Sequence, residues 1–341
     1  MIFSEKYFLE STADTTDRAA EIEEKLGQYG VCLLGAGVFY VSGVTMPDGT
    51  SIMGMGTATK VVLADGIEDG AAIRLGSYCS VKDLFVLGSE DEIELPDGVG
   101  TRHGLLFKGY AVPKENKLTG QLQPKHSMIS GCEIANFTGG GITCVSTGYS
   151  VRSAVTVTNC HVFCCGAGIN IPYFSEFHEF SNVLCTKNNF GCVNNGGNNV
   201  FVNCGFSGNK TGFLIDNSDG QSPNNSHGTM VGCTINHSGK NEGIGLHILG
   251  ATSGYVFTGC QIFFSKIVIE NSTAIQINST NFGKNAEISI KGGGMTLING
   301  AIFTTRPKIT VENNPLVRFV DCYTRAGTVI TAPEGEESAD A

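Results

Sequence analysis

The chain has no tryptophan, few prolines and little charge. Charged residues make up 16% of its 341 positions, and 22 basic against 32 acidic residues give a formal net charge of −10. Such a protein gains no electrostatic attraction to nucleic acid or to an anionic membrane, so neither is expected as a partner. Arg152 is the only arginine between Gly104 and Phe303. This shortage of cations argues against a site for a polyanion.

Several motifs that would assign a function are missing as well. The sequence contains no P-loop, no H-E-x-x-H, no G-x-S-x-G and no paired C-x-x-C, so no cofactor is expected. The cluster Cys160-His161-x-x-Cys164-Cys165 holds metal-ligand residue types, but strand alternation directs Cys160 inward and His161 outward. We therefore expect no metal site. The first 17 residues have no continuous apolar run and do not resemble a signal peptide, and no later run is long enough to cross a membrane.

What the sequence does contain is a repeated phrase. An apolar-x-apolar run, then Asn or Gly, then Cys, then a second apolar-x-apolar run recurs every 19 to 29 residues, which is a solenoid period. The apolar residues alternate, so each unit is a short strand that buries its apolar face only by stacking on its neighbours. The copies are VTVTNCHVF (155–163), VFVNCGF (200–206), TMVGCTI (229–235), YVFTGCQIF (255–263) and VRFVDCY (317–323).

The thirteen cysteines fit this repeat better than a disulfide framework. Six of them occupy the equivalent position of successive units, where stacked thiols act as small hydrophobic side chains. We expect reduced thiols in an interior ladder formed by Cys132, Cys160, Cys204, Cys233, Cys260 and Cys322. The 46 glycines, together with Asn, Ser and Thr between the strands, suit many tight turns.

The segments outside the repeat define the expected organisation. Residues 1–30 form an N-terminal segment with an amphipathic helix over 11–29, whose N-cap is expected near Thr15 or Thr16 and which covers the open end of the solenoid. The solenoid occupies 31–325. Polar insertions near 88–103, 110–126 and 217–227 are expected to loop outward and are candidate walls for a binding groove. The acidic tail 326–341 is expected to be disordered.

The opening of the chain resembles a known superfamily. The TTD-x-A-x-x-I helix at 15–22, the G-x-G-x-[FY]-x-V strand at 35–41 and the turn PDGTSIMGMG at 47–56 resemble the start of pectin-lyase-like proteins, and the N-C and G-C units resemble their later coils. The resemblance covers about residues 12–325. It implies an all-β fold: a single-stranded right-handed parallel β-helix (solenoid) with an N-terminal capping helix.

The resemblance also implies carbohydrate-active enzymes, including polygalacturonases, pectate lyases, fructan-converting transferases and phage tailspike depolymerases. The Arg base and Asp clusters of a pectate lyase and the N-x-D and D-D pattern of a polygalacturonase are not visible in the sequence. Transferases that act on inulin place their sites between subunits of a trimer, so a homotrimer is an open alternative. The location stays unknown; a cytoplasmic or virion-associated protein is favoured over one secreted through the Sec route.

Stacking the second strand of each coil predicts a row of outward side chains. If residues such as Ile215, Leu246 and Ile269 point inward at equivalent positions, the residues that follow them point outward on one face. Coils about 4.8 Å apart would then bring two carboxylates to about 9–10 Å at Cα, with an imidazole between them. The predicted row is Pro172, Asn195, Asp216, His247, Glu270, Lys291 and Glu312.

Two carboxylates on one face are what glycosidic bond cleavage requires. The candidate catalytic residues are Asp216, Glu270, Asp219 and Glu242, and the candidate substrate-binding residues are His247, Asn195, Glu176, His178 and Tyr173. We therefore predict a glycoside hydrolase or a glycosyl- or fructosyltransferase-like enzyme that acts on a neutral oligo- or polysaccharide, with carbohydrate as its partner. An ordinary solvated row of charges is the competing interpretation of these residues. The alternative function is a phage tailspike-like or surface fibre-like protein that binds glycan without cleaving it.

Overall fold

The computed structural model describes residues 5–108, 125–145, 153–173, 175–218, 227–236 and 243–333. Within these residues the strands pair in parallel with the strands of the preceding and following coils. Each complete coil contributes one strand to each of three sheets, here named A, B and C in chain order. The described residues therefore form the predicted all-β parallel solenoid.

The strands of the three sheets have the following bounds. Sheet A contains Phe8–Leu9, Val31–Leu34, the first parts of Ser51–Leu63 and Ser80–Leu87, Lys125–Ser130, Ser153–Thr158, Glu179–Ser181, Asn199–Val202, Gly228–Val231, Tyr255–Thr258, Ile275–Asn278, Thr296–Asn299 and Val317–Val320. Sheet B contains Gly37–Val41, the last parts of Ser51–Leu63 and Ser80–Leu87, the first parts of Glu133–Val145 and His161–Ile171, Leu184–Thr186, Gly205–Ser207, Thr234–Asn236, Gln261–Phe263, Asn281–Phe282, Ile302–Phe303 and Tyr323–Thr324. Sheet C contains Val44–Thr45, Gly70–Leu75, Arg102–Lys108, the last parts of Glu133–Val145 and His161–Ile171, Phe190–Asn194, Thr211–Asp216, Ile244–Leu249, Lys266–Glu270, Glu287–Lys291 and Lys308–Glu312.

The turn between sheets A and B explains the repeated N-C and G-C phrase. The residue before each Cys is in the left-handed backbone region, with φ of 54° at Asn203 and 62° at Gly232. Asn and Gly tolerate this region at low cost, whereas most other residues do not. The next residue then points into the core. All six cysteines of the expected ladder are at most 3% exposed, which confirms their interior placement, and all thirteen cysteines are free thiols.

The N-terminal helix α1 spans Ala19–Tyr29 and buries Ala19, Ile22 and Leu26 against the first coil. It begins later than the sequence predicted, because Asp17 rather than a threonine anchors its start. Asp17 Oδ1 accepts hydrogen bonds from the backbone N–H groups of Ala19 and Ser42, both at 3.0 Å. Gly30 ends the helix in the left-handed conformation, with φ of 71°.

The insertion between the strands Ser80–Leu87 and Arg102–Lys108 lies along the solenoid instead of projecting from it. Tyr40 Oη donates to Glu90 Oε2 at 2.7 Å, and Asn136 Nδ2 donates to the backbone oxygen of Ser89 at 3.0 Å. Further along, Lys210 Nζ lies 3.5 Å from Asp97 Oδ1. We call residues 88–101 the acidic strap.

The other expected insertions fall largely outside the described residues. Of the range 110–126, the structure describes only residues 125 and 126, which open the strand Lys125–Ser130. Of 217–227, residues 219–226 lie outside the described part, and so do residues 334–341 of the tail. The beginning of the tail is ordered against the last coil, since Val329 bridges to Tyr323 and Ile330 is 4% exposed.

Candidate functional site

The outer face of sheet C carries the predicted carboxylates, but the row differs from the sequence prediction. Asp216 pairs in register with Leu249, and Leu249 pairs with Glu270. Glu270 is followed in the next coils by Lys291 and Glu312, as predicted. The two carboxylates are thus two coils apart, which is about 9–10 Å at Cα. We call the surface around Asp216, His247 and Glu270 the carboxylate face.

The predicted position of His247 in this row was wrong by two residues. His247 pairs with Leu214 and Val268, so it occupies the neighbouring outward row and Leu249 stands between the carboxylates. The segment Gly243-Ile-Gly245 offers two glycines to align with Gly212, and a shift of two residues preserves which side chains point inward. The in-register partner of Gly212 is Gly245, because Thr211 pairs with Ile244 and Phe213 with Leu246.

His247 nevertheless lies within electrostatic reach of both acids. Burial lowers the pKa of the half-buried imidazole below its usual value, Glu270 and then Asp216 act in the opposite direction, and Lys266 adds to the lowering. Burial disfavours the charged form, while nearby anions favour it. The structure therefore brings His247, Asp216 and Glu270 onto one surface, although His247 is not in their row.

Asp216 is held by its neighbours at the end of its strand. Its backbone N–H donates to Asn195 Oδ1 at 2.9 Å, which ties it to the preceding coil. Its Oδ1 accepts hydrogen bonds from the backbone N–H of Ser218 at 3.0 Å and from Ser218 Oγ at 2.6 Å. These contacts fix the carboxyl group relative to the sheet. The Asn195 side-chain oxygen is therefore already engaged in a hydrogen bond with the backbone of Asp216.

Of the other proposed binding residues, Glu176 and Tyr173 lie at the corner that follows the strand ending at Ile171. Both are half-buried. Glu176 Oε2 accepts a hydrogen bond from Asn198 Nδ2 at 3.3 Å. Glu176 and Tyr173 belong to coils that precede the coil of Asp216, since Ile171 pairs with Asn194 and Asn195 contacts Asp216.

His178 does not face the surface, so its predicted role in substrate binding was wrong. It is 1% exposed, and its ring lies inside the solenoid. The backbone N–H of Val155 donates to Nδ1 at 3.2 Å, and Nε2 lies 2.7 Å from Ser175 Oγ, which in turn donates to the backbone oxygen of Cys144 at 2.7 Å. Burial lowers the pKa of His178 to about 3. It is a neutral core residue that satisfies buried polar groups.

The remaining predictions for the site fall outside the described part of the chain, which includes neither Asp219 nor Glu242. The described residues contain no group of three or more His, Cys, Asp or Glu side chains that could hold a metal ion. No helix among them has the length and apolar character needed to span a bilayer.

The acidic strap does not border the carboxylate face. Its contact with Lys210 lies just before the strand Thr211–Asp216, six residues from Asp216. Six strand residues extend about 20 Å, so this contact and the Asp216 carboxylate are at opposite ends of the sheet.

Sequence reasoning overlooked Leu249 and Ser218. Leu249 stands in the row between the acids, and Ser218 hydrogen-bonds to Asp216. The Asp-x-Ser spacing was a usable signal for the second contact, since Asp often accepts hydrogen bonds from residues two positions later. No comparable signal distinguished Leu249 from His247.

Comparison with solved structures identifies the fold. A DFA-IIIase from Arthrobacter chlorophenolicus A6, solved without its lid, is 8% identical with a TM-score of 0.61, over 95% of this chain and 97% of that chain. The A-module of the Azotobacter vinelandii mannuronan C-5 epimerase AlgE4 is 13% identical with a TM-score of 0.58, over 91% and 92%. Tailspike protein 2 of the Escherichia coli O157:H7 bacteriophage CAB120 is 13% identical with a TM-score of 0.52, over 82% of this chain and 41% of that chain.

The chain therefore has a right-handed parallel β-helix fold, as the resemblance implied. At 8–13% identity the likeness is one of fold. No protein-family model and no curated protein matches the sequence.

Proposed function

We propose that the protein is a carbohydrate-active enzyme that binds a neutral oligo- or polysaccharide along the carboxylate face. The observation that carries this proposal is the placement of Asp216 and Glu270 in one outward row, two coils apart, with the His247 imidazole beside them. Glycosidic bond cleavage requires one carboxyl group to donate a proton and another to act as base or nucleophile. The fold supports a carbohydrate as the substrate, because the structures similar to this chain include a mannuronan epimerase.

The hydrogen bonds suggest how the two roles divide. Asp216 Oδ1 already accepts two hydrogen bonds from Ser218, an arrangement that an ionised carboxylate accommodates without a proton of its own. We assign the base to Asp216 and the proton donor to Glu270. Neutral His247, beside them on the same surface, is available to hold a sugar hydroxyl. If the two side chains extend in parallel from the sheet, their carboxyl groups keep a separation close to that of the Cα atoms, which favours an inverting reaction with a water nucleophile, since inverting enzymes keep their carboxyl groups roughly 6.5–9.5 Å apart.

A neutral substrate suits the charges around the face. Lys291 stands between Glu270 and Glu312 in the row, and Lys266 lies at the start of the strand that ends at Glu270. Together with Asp216 these residues leave no cationic surplus for a polyanion. Leu249 and half-buried Leu214 add apolar surface for the C–H face of a sugar ring.

The test is an activity screen on neutral and acidic oligosaccharides, with reducing ends measured and the anomeric form of the product followed by NMR. For the substrate found, Asp216→Asn and Glu270→Gln should each lower the rate by about a hundredfold or more, as expected for a lost general acid or base. Glu312→Gln, in the same row two coils beyond Glu270, is the matched control and should retain the rate. Unchanged rates in the first two variants would exclude these carboxyl groups from the chemistry.

The second candidate function is glycan binding without cleavage, as in a tailspike-like or fibre-like protein. Leu249 in the row favours it, because an apolar side chain between the acids contributes contact but no proton transfer. Saturable oligosaccharide binding without any product, even at high protein concentration, would select this function over the enzyme.

A further inference from the structure

The turn between sheets A and B forms an open depression that does not belong to the carboxylate face on sheet C. Its volume is about 450 Å³, inside the range of roughly 300–1,000 Å³ seen for small-molecule sites. It extends over three consecutive coils, which is about 10 Å along the solenoid axis. We call it the corner depression. Its polar lining consists of Asn182, Asn203, Ser207, Thr234 and Asn236.

The depression exists because one row of outward side chains in sheet B is interrupted. Leu184, Gly205 and Thr234 occupy equivalent positions in successive coils, and Gly205 alone has no side chain. Among the described residues, the only atom within 4 Å of a Cβ built at Gly205 is Leu184 Cδ1, at 2.8 Å. The glycine is therefore not required by crowding from the backbone. Its effect is to leave a notch between two neighbours in the row.

The lining has the chemistry of a site for a neutral, hydroxyl-rich ligand. None of the lining residues that the structure describes is charged, so an anion finds no cation among them and a cation no carboxylate. Three amides and two hydroxyls both donate and accept hydrogen bonds, as the hydroxyls of a sugar do.

Apolar contact surface accompanies these polar groups. The Leu184 side chain in the lining is 42% exposed. Val202 and Val231, at the ends of the sheet A strands that lead into the same turns, are 40% and 39% exposed. Amides and hydroxyls next to exposed aliphatic groups match a sugar ring, which has hydroxyls on its rim and C–H groups on its face.

We propose that the corner depression is a non-catalytic binding site for a short neutral saccharide. Its described lining contains no carboxyl group, so these residues are suited to binding rather than to cleavage. It would hold a glycan chain on a part of the solenoid separate from the carboxylate face. The proposal does not depend on the enzyme assignment, because it rests on a different surface and different residues.

Two substitutions test the site while preserving the fold. Gly205→Leu fills the notch, and leucine already occupies the equivalent outward position at Leu184, whose Cδ1 end must shift to make room. Glycine inside a strand is unfavourable by roughly 0.5–1 kcal/mol, which offsets the cost of that shift, so the variant should still fold. Asn203→Gly removes one amide and keeps the left-handed turn, since Gly232 occupies the same position in the next coil. The matched control is Asn281→Leu, in the same row two coils beyond Thr234 and outside the lining.

Binding is measured by calorimetry in the Asp216→Asn, Glu270→Gln background, which prevents turnover. The probes are hexasaccharides of glucose, of mannose and of fructose, with a galacturonate hexamer as the acidic arm. We expect at least one neutral probe to bind, Gly205→Leu and Asn203→Gly to weaken it tenfold or more, and Asn281→Leu to leave it unchanged.

The proposal is overturned if no neutral probe binds, if the galacturonate hexamer binds in preference, or if both depression variants bind every neutral probe as the parent does, which would place all of the binding elsewhere, for example on the carboxylate face. Failure of the enzyme proposal is distinguishable. It would appear as unchanged cleavage in the single Asp216 and Glu270 variants, whatever the depression variants do.

Discussion

His178 lies inside the solenoid, where its two ring nitrogens meet the backbone N–H of Val155 and the hydroxyl of Ser175. Its pKa of about 3 in the folded protein is well below the value of about 6.5 expected in an unfolded chain. As pH falls below about 6.5, His178 binds a proton in the unfolded chain but not in the folded protein. The free energy of unfolding therefore decreases progressively down to about pH 3.

The sign and size of this effect are testable. Between pH 7 and pH 5 the protein should lose about 2 kcal/mol of unfolding free energy through His178, at about 1.4 kcal/mol per pH unit below the unfolded pKa. His178→Gln keeps a hydrogen-bond donor and an acceptor but does not titrate. Between pH 7 and pH 5 this variant should therefore lose about 2 kcal/mol less unfolding free energy than the parent. Urea unfolding at both pH values measures it, and His126→Gln, at an exposed histidine, is the control. Equal losses in His178→Gln and the parent would contradict the assignment.

At the scale of the element, the turn between sheets A and B sets the path of every coil. Gly259 has a φ of 63°, and a Cβ added there would meet no atom within 4 Å. Gly259→Ala therefore measures backbone strain without a steric clash. It should cost about 1 kcal/mol of unfolding free energy, the usual penalty for a non-glycine residue in the left-handed region.

The matched control for this prediction is Gly259→Asn, which should cost less than Gly259→Ala. Asparagine already holds the same turn position in other coils, since Asn159, Asn182 and Asn203 have φ of 54–55°. Thermal unfolding of both variants is the measurement. A Gly259→Asn variant that is no more stable than Gly259→Ala would show that backbone conformation is not what selects the residue here.

The carboxylate face is also a property of elements, because it depends on how strands align. The alternation of apolar residues predicted which side chains of Thr211–Asp216 and Lys266–Glu270 point outward, and both acids do share a row. The strand Ile244–Leu249 was misaligned because a shift of two residues leaves the alternation unchanged. Only its hydrogen-bonded register places Leu249 rather than His247 between the acids.

At the scale of the whole molecule, the homotrimer stays a prediction. If it is correct, sedimentation equilibrium at micromolar concentration should give three times the chain mass of 35.9 kDa. The trimer would then have to leave the corner depression open for a glycan, so Gly205→Leu should bind less saccharide without changing the mass. A mass of one chain under these conditions would contradict the trimer and any site shared between subunits.

The repeat, the β-solenoid, the left-handed turns and the interior cysteines could all be predicted from the sequence, because each follows from local backbone preference and from alternation along a strand. Other features became clear only from the folded chain: which residues of different coils are neighbours, the inward orientation of His178, the acidic strap against the solenoid, and the depression at Gly205. These depend on register and packing between segments distant in the chain, where alignments of equal local merit differ only in the contacts that stacking creates.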